Sequence, residues 1–270
     1  MEHMIEDLLK TVLKAGAVIM EVYSQDFEVL TKGDSSPVTL ADQKGEAIIA
    51  TNLARIAPHI PMVGEEAASE GNIPDISNGI FWLVDPLDGT KEFIHRRGDF
   101  TVNIGLIEDK KPMMGIVYAP DKGRIWWGIK GVGAWAADVK DDEIINRTPI
   151  KTRAIDLDDL VIVASKSHRS PELESWLEHY PDAEHISVGS SLKFCLLAEG
   201  KADLYPRHGL TCEWDTAAAH AVLVAAGGKV DADDGAALTY AKNTKTFLNP
   251  WFMAVADSSF NPPNLNSKKD

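Results

Sequence analysis

The sequence predicts an α+β region followed by an α/β region, and three patterns carry that expectation. Apolar residues recur at helical spacing over much of the first 56 positions. Short period-two runs separated by turn residues then extend from Val102 through Ala136. Beyond a polar stretch, residues 146–159, strand-like and helix-like segments alternate.

Ile5, Leu8, Leu9, Val12, Leu13, Ile19 and Met20 share one face of a long amphipathic helix. Thr39 with Asp42 reads as a capping box with Asp in the third position, and a second helix continues through Ile48, Ile49, Leu53 and Ile56. The apolar run 80–84 ends in Asp85-Pro86 and reads as a buried strand stopped at its carboxyl end. Pro86 fixes its own φ, disfavours a helical Asp85 and has no N–H to donate. Val102, Ile104 and Leu106, then residues 116–118, 125–127 and 134–136, are short strands joined at 108–111 and 121–123, which implies an antiparallel sheet. Residues 146–159 are the candidate boundary between a first domain, 1–150, and a second, 151–270. In the second, strands are expected at 160–164, 185–188, 202–205 and 252–256. Helices are expected at 171–179, at 192–199 (stopped by Gly200) and at 215–226 (stopped by Gly227-Gly228). The tail from Asn261 is expected to be disordered.

At 270 residues, with 44% hydrophobic and 25% charged residues, the chain has the composition of a soluble globular protein with a sizeable core. A formal charge of −14 argues against nucleic-acid partners and against an anionic membrane patch. An anionic substrate can still bind if cations invert the local field. The two cysteines, Cys195 and Cys212, form neither a disulfide framework nor a zinc cluster. The amino terminus shows no basic-then-apolar leader pattern, no segment has the apolar length to span a bilayer, and a cytoplasmic location is expected.

Chemistry concentrates at Asp85-Pro86-Leu87-Asp88-Gly89-Thr90. Two carboxylates three residues apart beside a turn can converge on one point, as Mg²⁺ with its oxygen ligands requires. Gly89 and Thr90 offer N–H groups and a hydroxyl where a helix could begin, a cradle for phosphate. A solvated Asp-rich turn has the same composition. Glu65, in Gly64-Glu65-Glu66, also follows a short apolar run, yet it opens an acidic stretch that could simply be solvated. Asp215 stands where a helix N-cap is expected, and Asp42 could serve only the macrodipole of its helix.

Taken in order and spacing, Gly64-Glu65-Glu66, Trp82-Leu83-Val84-Asp85-Pro86-Leu87-Asp88-Gly89-Thr90 and Trp214-Asp215-Thr216-Ala217-Ala218 resemble the signatures of the inositol monophosphatase superfamily of metal-dependent, lithium-sensitive phosphatases. The resemblance spans nearly the whole chain. Lys91-Glu92-Phe93, Gly189-Ser190-Ser191-Leu192-Lys193-Phe194-Cys195 and Tyr205-Pro206-Arg207 are most similar to the bacterial 3'(2'),5'-bisphosphate nucleotidases of the CysQ type. Leu210-Thr211-Cys212 departs from the Pro-Thr-Met common there, which touches packing rather than a ligand.

The resemblance implies a layered αβαβα sandwich and hydrolysis of 3'-phosphoadenosine 5'-phosphate to AMP and phosphate, a by-product clearance in sulfur metabolism. It implies two or three Mg²⁺ ions. Glu65 and Asp85 would hold the first, and Asp85, Asp88 and Asp215 the second, with the Leu87 carbonyl in the same shell. Thr90, paired with Asp42, would orient and help deprotonate the attacking water, with Glu65 counted among the catalytic groups. Gly89 and Thr90 N–H groups would bind the transferred phosphate beside Glu65, Leu87, Asp88 and Asp215. Ser190, Lys193 and Arg207 would face the nucleotide and its 5'-phosphate, His168 the base or sugar, and Glu213 the ribose. Family members of this type can associate peripherally with the inner membrane, though no stretch here explains such binding. The rival readings are an inositol or other sugar monophosphatase and a non-catalytic phospholigand-binding protein.

Overall fold

The computed structural model describes residues 1–31, 37–164 and 170–266. Helices α1 (Ile5–Tyr23) and α2 (Leu40–Ile56) flank a short antiparallel pair, β1 (Val29–Thr31) and β2 (Pro37–Thr39). There follow β3 (Met62–Gly64), α3 (Glu65–Ser69), β4 (Ile80–Asp88), α4 (Thr90–Ile94), β5 (Thr101–Glu108) and β6 (Lys111–Ala119). Next come β7 (Arg124–Ile129), β8 (Gly133–Lys140) and β9 (Glu143–Ile150). The remainder is β10 (Val161–Val163), α5 (Pro171–Leu177), β11 (Glu184–Ile186), α6 (Leu192–Ala198), β12 (Leu204–Arg207), α7 (Glu213–Ala226), β13 (Lys229–Ala232) and β14 (Phe252–Val255).

Among the described residues, β3 to β9 form a seven-stranded sheet in sequence order, antiparallel except for the β3–β4 pair. A second, five-stranded sheet has the order β11-β10-β12-β14-β13, parallel over its first three strands and antiparallel at β14. Alternate residues of each strand serve different cores, as the pleat requires. Ile116 and Tyr118 pack with Leu8, Val12 and Ile49 of α1 and α2, whereas Val117 and Ala119 pack with α6 and α7. Likewise Val161 and Val163 face α6 and α7, while Ile162 faces Leu173 and Trp176 of α5. The layers therefore run helix, sheet, helix, sheet, helix. This is the αβαβα sandwich.

The middle layer sits very close to the large sheet. Ala217, Ala218 and Val222 of α7 lie over Gly105, Gly115 and Gly128 on three adjacent strands. A Cβ on Gly115 would overlap the Ala218 carbonyl oxygen, so no side chain fits there. This seating fixes where the first turn of α7, and Asp215 with it, meets the end of β4.

Three expectations need correction. The strand does not stop at Asp85-Pro86: β4 runs on to Asp88, with Asp85 opposite Asn103 and Asp88 opposite Thr101 across a register shift. A bulge absorbs the proline, which cannot donate to the ladder, and re-aims the residues after it. The supposed boundary 146–159 begins inside β9, a polar edge strand on which Pro149 is tolerated. The tail is not loose as far as residue 266. Trp176 Nε1 donates to the Pro263 carbonyl (3.1 Å), His208 Nε2 lies 2.9 Å from the Leu265 carbonyl oxygen, and Leu265 is buried.

Candidate active site

The site is assembled from four chain segments. The first is the capping box at the start of α2. Asp42 Oδ2 accepts from the Thr39 N–H and the Thr39 hydroxyl, each at 2.7 Å, and Asp42 is 1% exposed. Its other oxygen, Oδ1, lies 3.3 Å from the Thr90 hydroxyl. Asp42 therefore closes the helix terminus with one oxygen and reaches Thr90 with the other.

The second segment is the bulged end of β4 with the start of α4. Asp85 is buried, and its Oδ1 accepts the Leu87 N–H at 2.9 Å. The Leu87 carbonyl oxygen lies 3.3 Å from the Thr90 hydroxyl. Gly89 takes φ 96°, and a Cβ there would come within 2.8 Å of the Asp99 carbonyl oxygen, so glycine is required on both counts. Thr90 then opens α4.

Glu65 opens α3, whose amino end is capped from outside. Glu46, on α2, accepts the N–H groups of Glu66 (2.8 Å) and Ala67 (2.9 Å). The fourth segment brings Asp215, in the first turn of α7, with its Oδ2 accepting the Cys212 N–H at 2.8 Å.

Glu65, Asp88, Gly89, Thr90, Ser190, Lys193, Arg207 and Asp215 line one cavity of about 360 Å³ between the two sheets' ends. Asp42, Asp85 and Leu87 stand behind its wall. Lys193 is 5% exposed, donates to the Ser190 carbonyl (2.9 Å) and sits 5.3 Å above the Tyr205 ring. Arg207 donates one terminal N–H to the Leu210 carbonyl at 3.0 Å. Arg207 Nε and Ser190 Oγ are buried polar atoms with no partner among the described residues. A larger, mainly apolar cavity of about 600 Å³ lies around Ile73, Phe81 and Ala241 and contains none of these groups.

One expected contact does not gather here. Glu213 is fully buried and turned away from the cavity, accepting from Ala241 N (2.6 Å) and Lys242 N (3.2 Å) and pairing with Lys242 Nζ at 2.9 Å. A side chain so committed cannot reach a ribose, so that expectation is corrected to a structural role. His168 lies outside the described residues. Other groups escaped the sequence reading. Phe194 and Tyr205 form an aromatic wall of the cavity, their rings edge to face at 5.2 Å, and Ser191 touches both Asp88 and Asp215. All three lie within the nucleotidase-like motifs quoted above, but the contacts Ser191 makes to Asp88 and Asp215 are ones that no local pattern encodes.

The carboxylates strain one another electrostatically. Burial raises the Asp85 carboxyl well above its ordinary range, reinforced by Glu65, Asp88 and Asp215. Asp215 is raised well above that range by burial and by Asp88 and Glu65, against the Cys212 N–H and Arg207. Asp88 is pushed up to about 6, chiefly by burial, while Lys193 and the Ser191 donors hold it down. Among the described residues no three His, Cys, Asp or Glu side chains already form a closed cage for a metal. The donor set is nonetheless all oxygen, anionic and withdrawn from water, and it fits a hard divalent cation such as Mg²⁺ rather than a thiophilic metal.

The pattern of the inositol monophosphatase family matches residues 1–256. The chain belongs to the inositol monophosphatase family. It is 43% identical over 251 residues to the 3'(2'),5'-bisphosphate nucleotidase CysQ of Salmonella typhimurium, covering 92% of this chain and 98% of that one. The enzyme of the same name from Escherichia coli K12 is 42% identical over the same length and coverage. Among solved structures, the crystal structure of CysQ from Bacteroides thetaiotaomicron, a bacterial member of this family, superposes with a TM-score of 0.78. It shares 38% identity and covers 93% of this chain and 96% of that one.

Proposed function

We propose that the protein is a Mg²⁺-dependent 3'(2'),5'-bisphosphate nucleotidase that hydrolyses 3'-phosphoadenosine 5'-phosphate to AMP and phosphate. One observation carries this reading. Carboxylates and cations line the same cavity, Glu65, Asp88 and Asp215 together with Thr90, Lys193 and Arg207, and Phe194 and Tyr205 add an aromatic wall on which Lys193 packs. A substrate with one phosphate to cleave and a second to hold needs both kinds of group. The names borne by the bacterial relatives support the same substrate.

Residues 1–150 would supply Glu65, Asp85, the Leu87 carbonyl and Asp88 to two Mg²⁺ ions, and residues 151–270 would supply Asp215 and the contacts to the nucleotide. Mg²⁺ bound there would neutralise the phosphate and make water a better nucleophile. The Thr90 hydroxyl orients that water. It passes its own proton towards Asp42 Oδ1 while taking one from the water, and Asp42 stays fixed because its other oxygen is bound twice by Thr39. The new P–O bond forms as the bond to the ribose 3'-oxygen breaks, and that oxygen takes a proton from solvent water to give the 3'-hydroxyl of AMP. Gly89 and Thr90 N–H groups, at the start of α4, hold the phosphoryl oxygens. Arg207 takes the 5'-phosphate, with Ser190 Oγ beside it, and Phe194 and Tyr205 flank the nucleoside. Among the described residues no helix is long and apolar enough to cross a membrane; we place the enzyme in the cytoplasm.

Phosphate release from 3'-phosphoadenosine 5'-phosphate, adenosine 3'-monophosphate and inositol monophosphate, with Mg²⁺ or with EDTA, tests the reading. The expected result is Mg²⁺-dependent turnover with the bisphosphate preferred. Preference for inositol monophosphate would overturn it.

A further inference from the structure

We propose that Ser191 is a positioning residue that holds Asp88 and Asp215 in register for the divalent cation. The inference rests on the metal-dependent phosphatase reading above. Ser191 immediately precedes α6 and is 2% exposed. Its N–H donates to Asp88 Oδ2 at 2.7 Å, and its hydroxyl lies 3.0 Å from that same oxygen. The hydroxyl is also 2.9 Å from the Asp215 carbonyl oxygen. One residue thus touches the bulged end of the large sheet and the first turn of α7, the two places from which opposing carboxylates enter the cavity.

Both Ser191 donors converge on Oδ2 of Asp88. The carboxylate cannot rotate without breaking two short bonds, while its Oδ1 takes nothing from Ser191. A hydroxyl has one proton to give, so it bridges two acceptors by position, and its oxygen sets the spacing between them. Ser191 itself is buried, so loss of its hydroxyl leaves both acceptors short of a donor at that point.

The turn before it is held as firmly. Ser190 takes a left-handed φ of 46°, uncommon for a residue with a side chain. Gly189 donates its N–H to Asp99 Oδ2 at 3.1 Å, and Asp99 is paired with Lys122 Nζ at 2.8 Å. Strained backbone persists where surrounding contacts over-determine it. Here those contacts tie the 189–191 turn to the segment between α4 and β5, and so deliver Ser191 to Asp88. Groups of this kind, hydrogen-bonded to a metal ligand, orient that ligand and tune its affinity for the ion.

Isothermal titration of Mg²⁺ into the metal-free protein, without substrate, reads the role directly, and the Mg²⁺ activation curve for phosphate release reads it again. Ser191→Ala is expected to raise the Mg²⁺ Kd by about ten- to a hundredfold. Its rate should return to within severalfold of wild type at saturating Mg²⁺. Ser191→Thr keeps the hydroxyl and should keep the wild-type Kd. Cooperative unfolding in EDTA checks each fold, and Ser191→Cys, near-isosteric with a weak donor, replaces Ser191→Ala if the latter does not fold. An unchanged Kd in Ser191→Ala overturns the proposal, as does a rate loss that Mg²⁺ does not restore, or a wild-type protein that binds no Mg²⁺. A wild type that binds Mg²⁺ but releases no phosphate from any phosphomonoester overturns the enzymatic reading instead. The Kd comparison still decides the role of Ser191.

Discussion

Asp42 and Thr90, 48 residues apart in sequence, are joined by a 3.3 Å contact between Asp42 Oδ1 and the Thr90 hydroxyl. Asp42 is at the same time the reciprocal partner in the cap of α2, bound twice through Oδ2 by Thr39. The capping box therefore has two effects. It satisfies the orphan donors of the helix, and it locks the rotamer of the carboxylate that faces Thr90. A group held this way needs no reorganisation when it accepts a proton, which is where preorganised sites gain rate.

Thr90→Val should lower kcat by roughly a hundredfold to ten-thousandfold, the usual range for a lost acid–base relay, with KM little changed. Thr90→Ser should retain most activity because the hydroxyl survives. Steady-state kinetics with 3'-phosphoadenosine 5'-phosphate, together with Mg²⁺ titration, checks both. A Thr90→Val defect cured by added Mg²⁺ would place Thr90 with the metal ligands instead.

The buried carboxylates give the metal-free protein an unusual pH response. Asp88 is raised to about 6, and Asp85 and Asp215 are raised well above their ordinary range. Between about pH 4 and 6 the folded chain keeps a proton on Asp88 that the unfolded chain has lost, so this group's contribution to stability falls as pH rises. Mg²⁺ competes with that proton. The Mg²⁺-induced rise in Tm should accordingly be larger at pH 7.5 than at pH 5. Thermal unfolding in EDTA and in Mg²⁺ at the two pH values measures it, and equal shifts at both would contradict the electrostatic account.

Much of this site was readable in one dimension because its signals are local. Thr39 and Asp42 share a helix start, Asp85 to Thr90 are one contiguous motif, and Asp215 begins an Ala-rich helix. What the sequence concealed lies in contacts between distant residues. The bulge that carries β4 to Asp88 depends on pairing with Asn103 and Thr101. Strand β9 is polar and mostly exposed, so it lacks the apolar alternation that marks a strand. Glu213 turns inward because Lys242 and the 241–242 backbone meet it from 28 and 29 residues away. Ser191 reaches Asp88 across 103 residues. Glu213 shows that proximity in sequence does not place a carboxylate in the cavity: its partners Lys242 and the 241–242 backbone decide where it points.

Gly115→Ala should destabilise the protein through α7 rather than through β6. The added methyl would occupy the space of the Ala218 carbonyl oxygen, and neither backbone has a rotamer that relieves the clash. Overpacking of this kind costs about 1–3 kcal/mol, which for a chain of this size lowers Tm by roughly 2–10 °C. Since the same helix carries Asp215, the variant should also need more Mg²⁺ for half-maximal activity. Thermal unfolding and Mg²⁺ activation would be measured together; a normal Tm would show that α7 is not seated as tightly as the geometry indicates.

Arg207 and Lys193 should separate in their effects, although both are cations in one cavity. Arg207 gives one N–H to the Leu210 carbonyl, and its Nε has no protein partner among the described residues. A planar guanidinium with an unused buried donor is suited to a phosphate. Lys193 is already bound to the Ser190 carbonyl, packs over Tyr205 and holds the Asp88 carboxyl down. Arg207→Ala should therefore raise KM for 3'-phosphoadenosine 5'-phosphate about ten- to a hundredfold, the equivalent of one charge-assisted contact of ~1.5–3 kcal/mol. Adenosine 3'-monophosphate, which lacks the 5'-phosphate, should be nearly unaffected. Lys193→Ala should lower kcat/KM for both substrates, because it removes charge beside Asp88 and loosens the turn that carries Ser191. The deciding quantity is the ratio of kcat/KM for the two substrates. It should collapse in Arg207→Ala and hold in Lys193→Ala. If Arg207→Ala instead depresses both substrates equally, Arg207 acts only through the 207–210 turn, and recognition of the second phosphate must be sought elsewhere in the cavity.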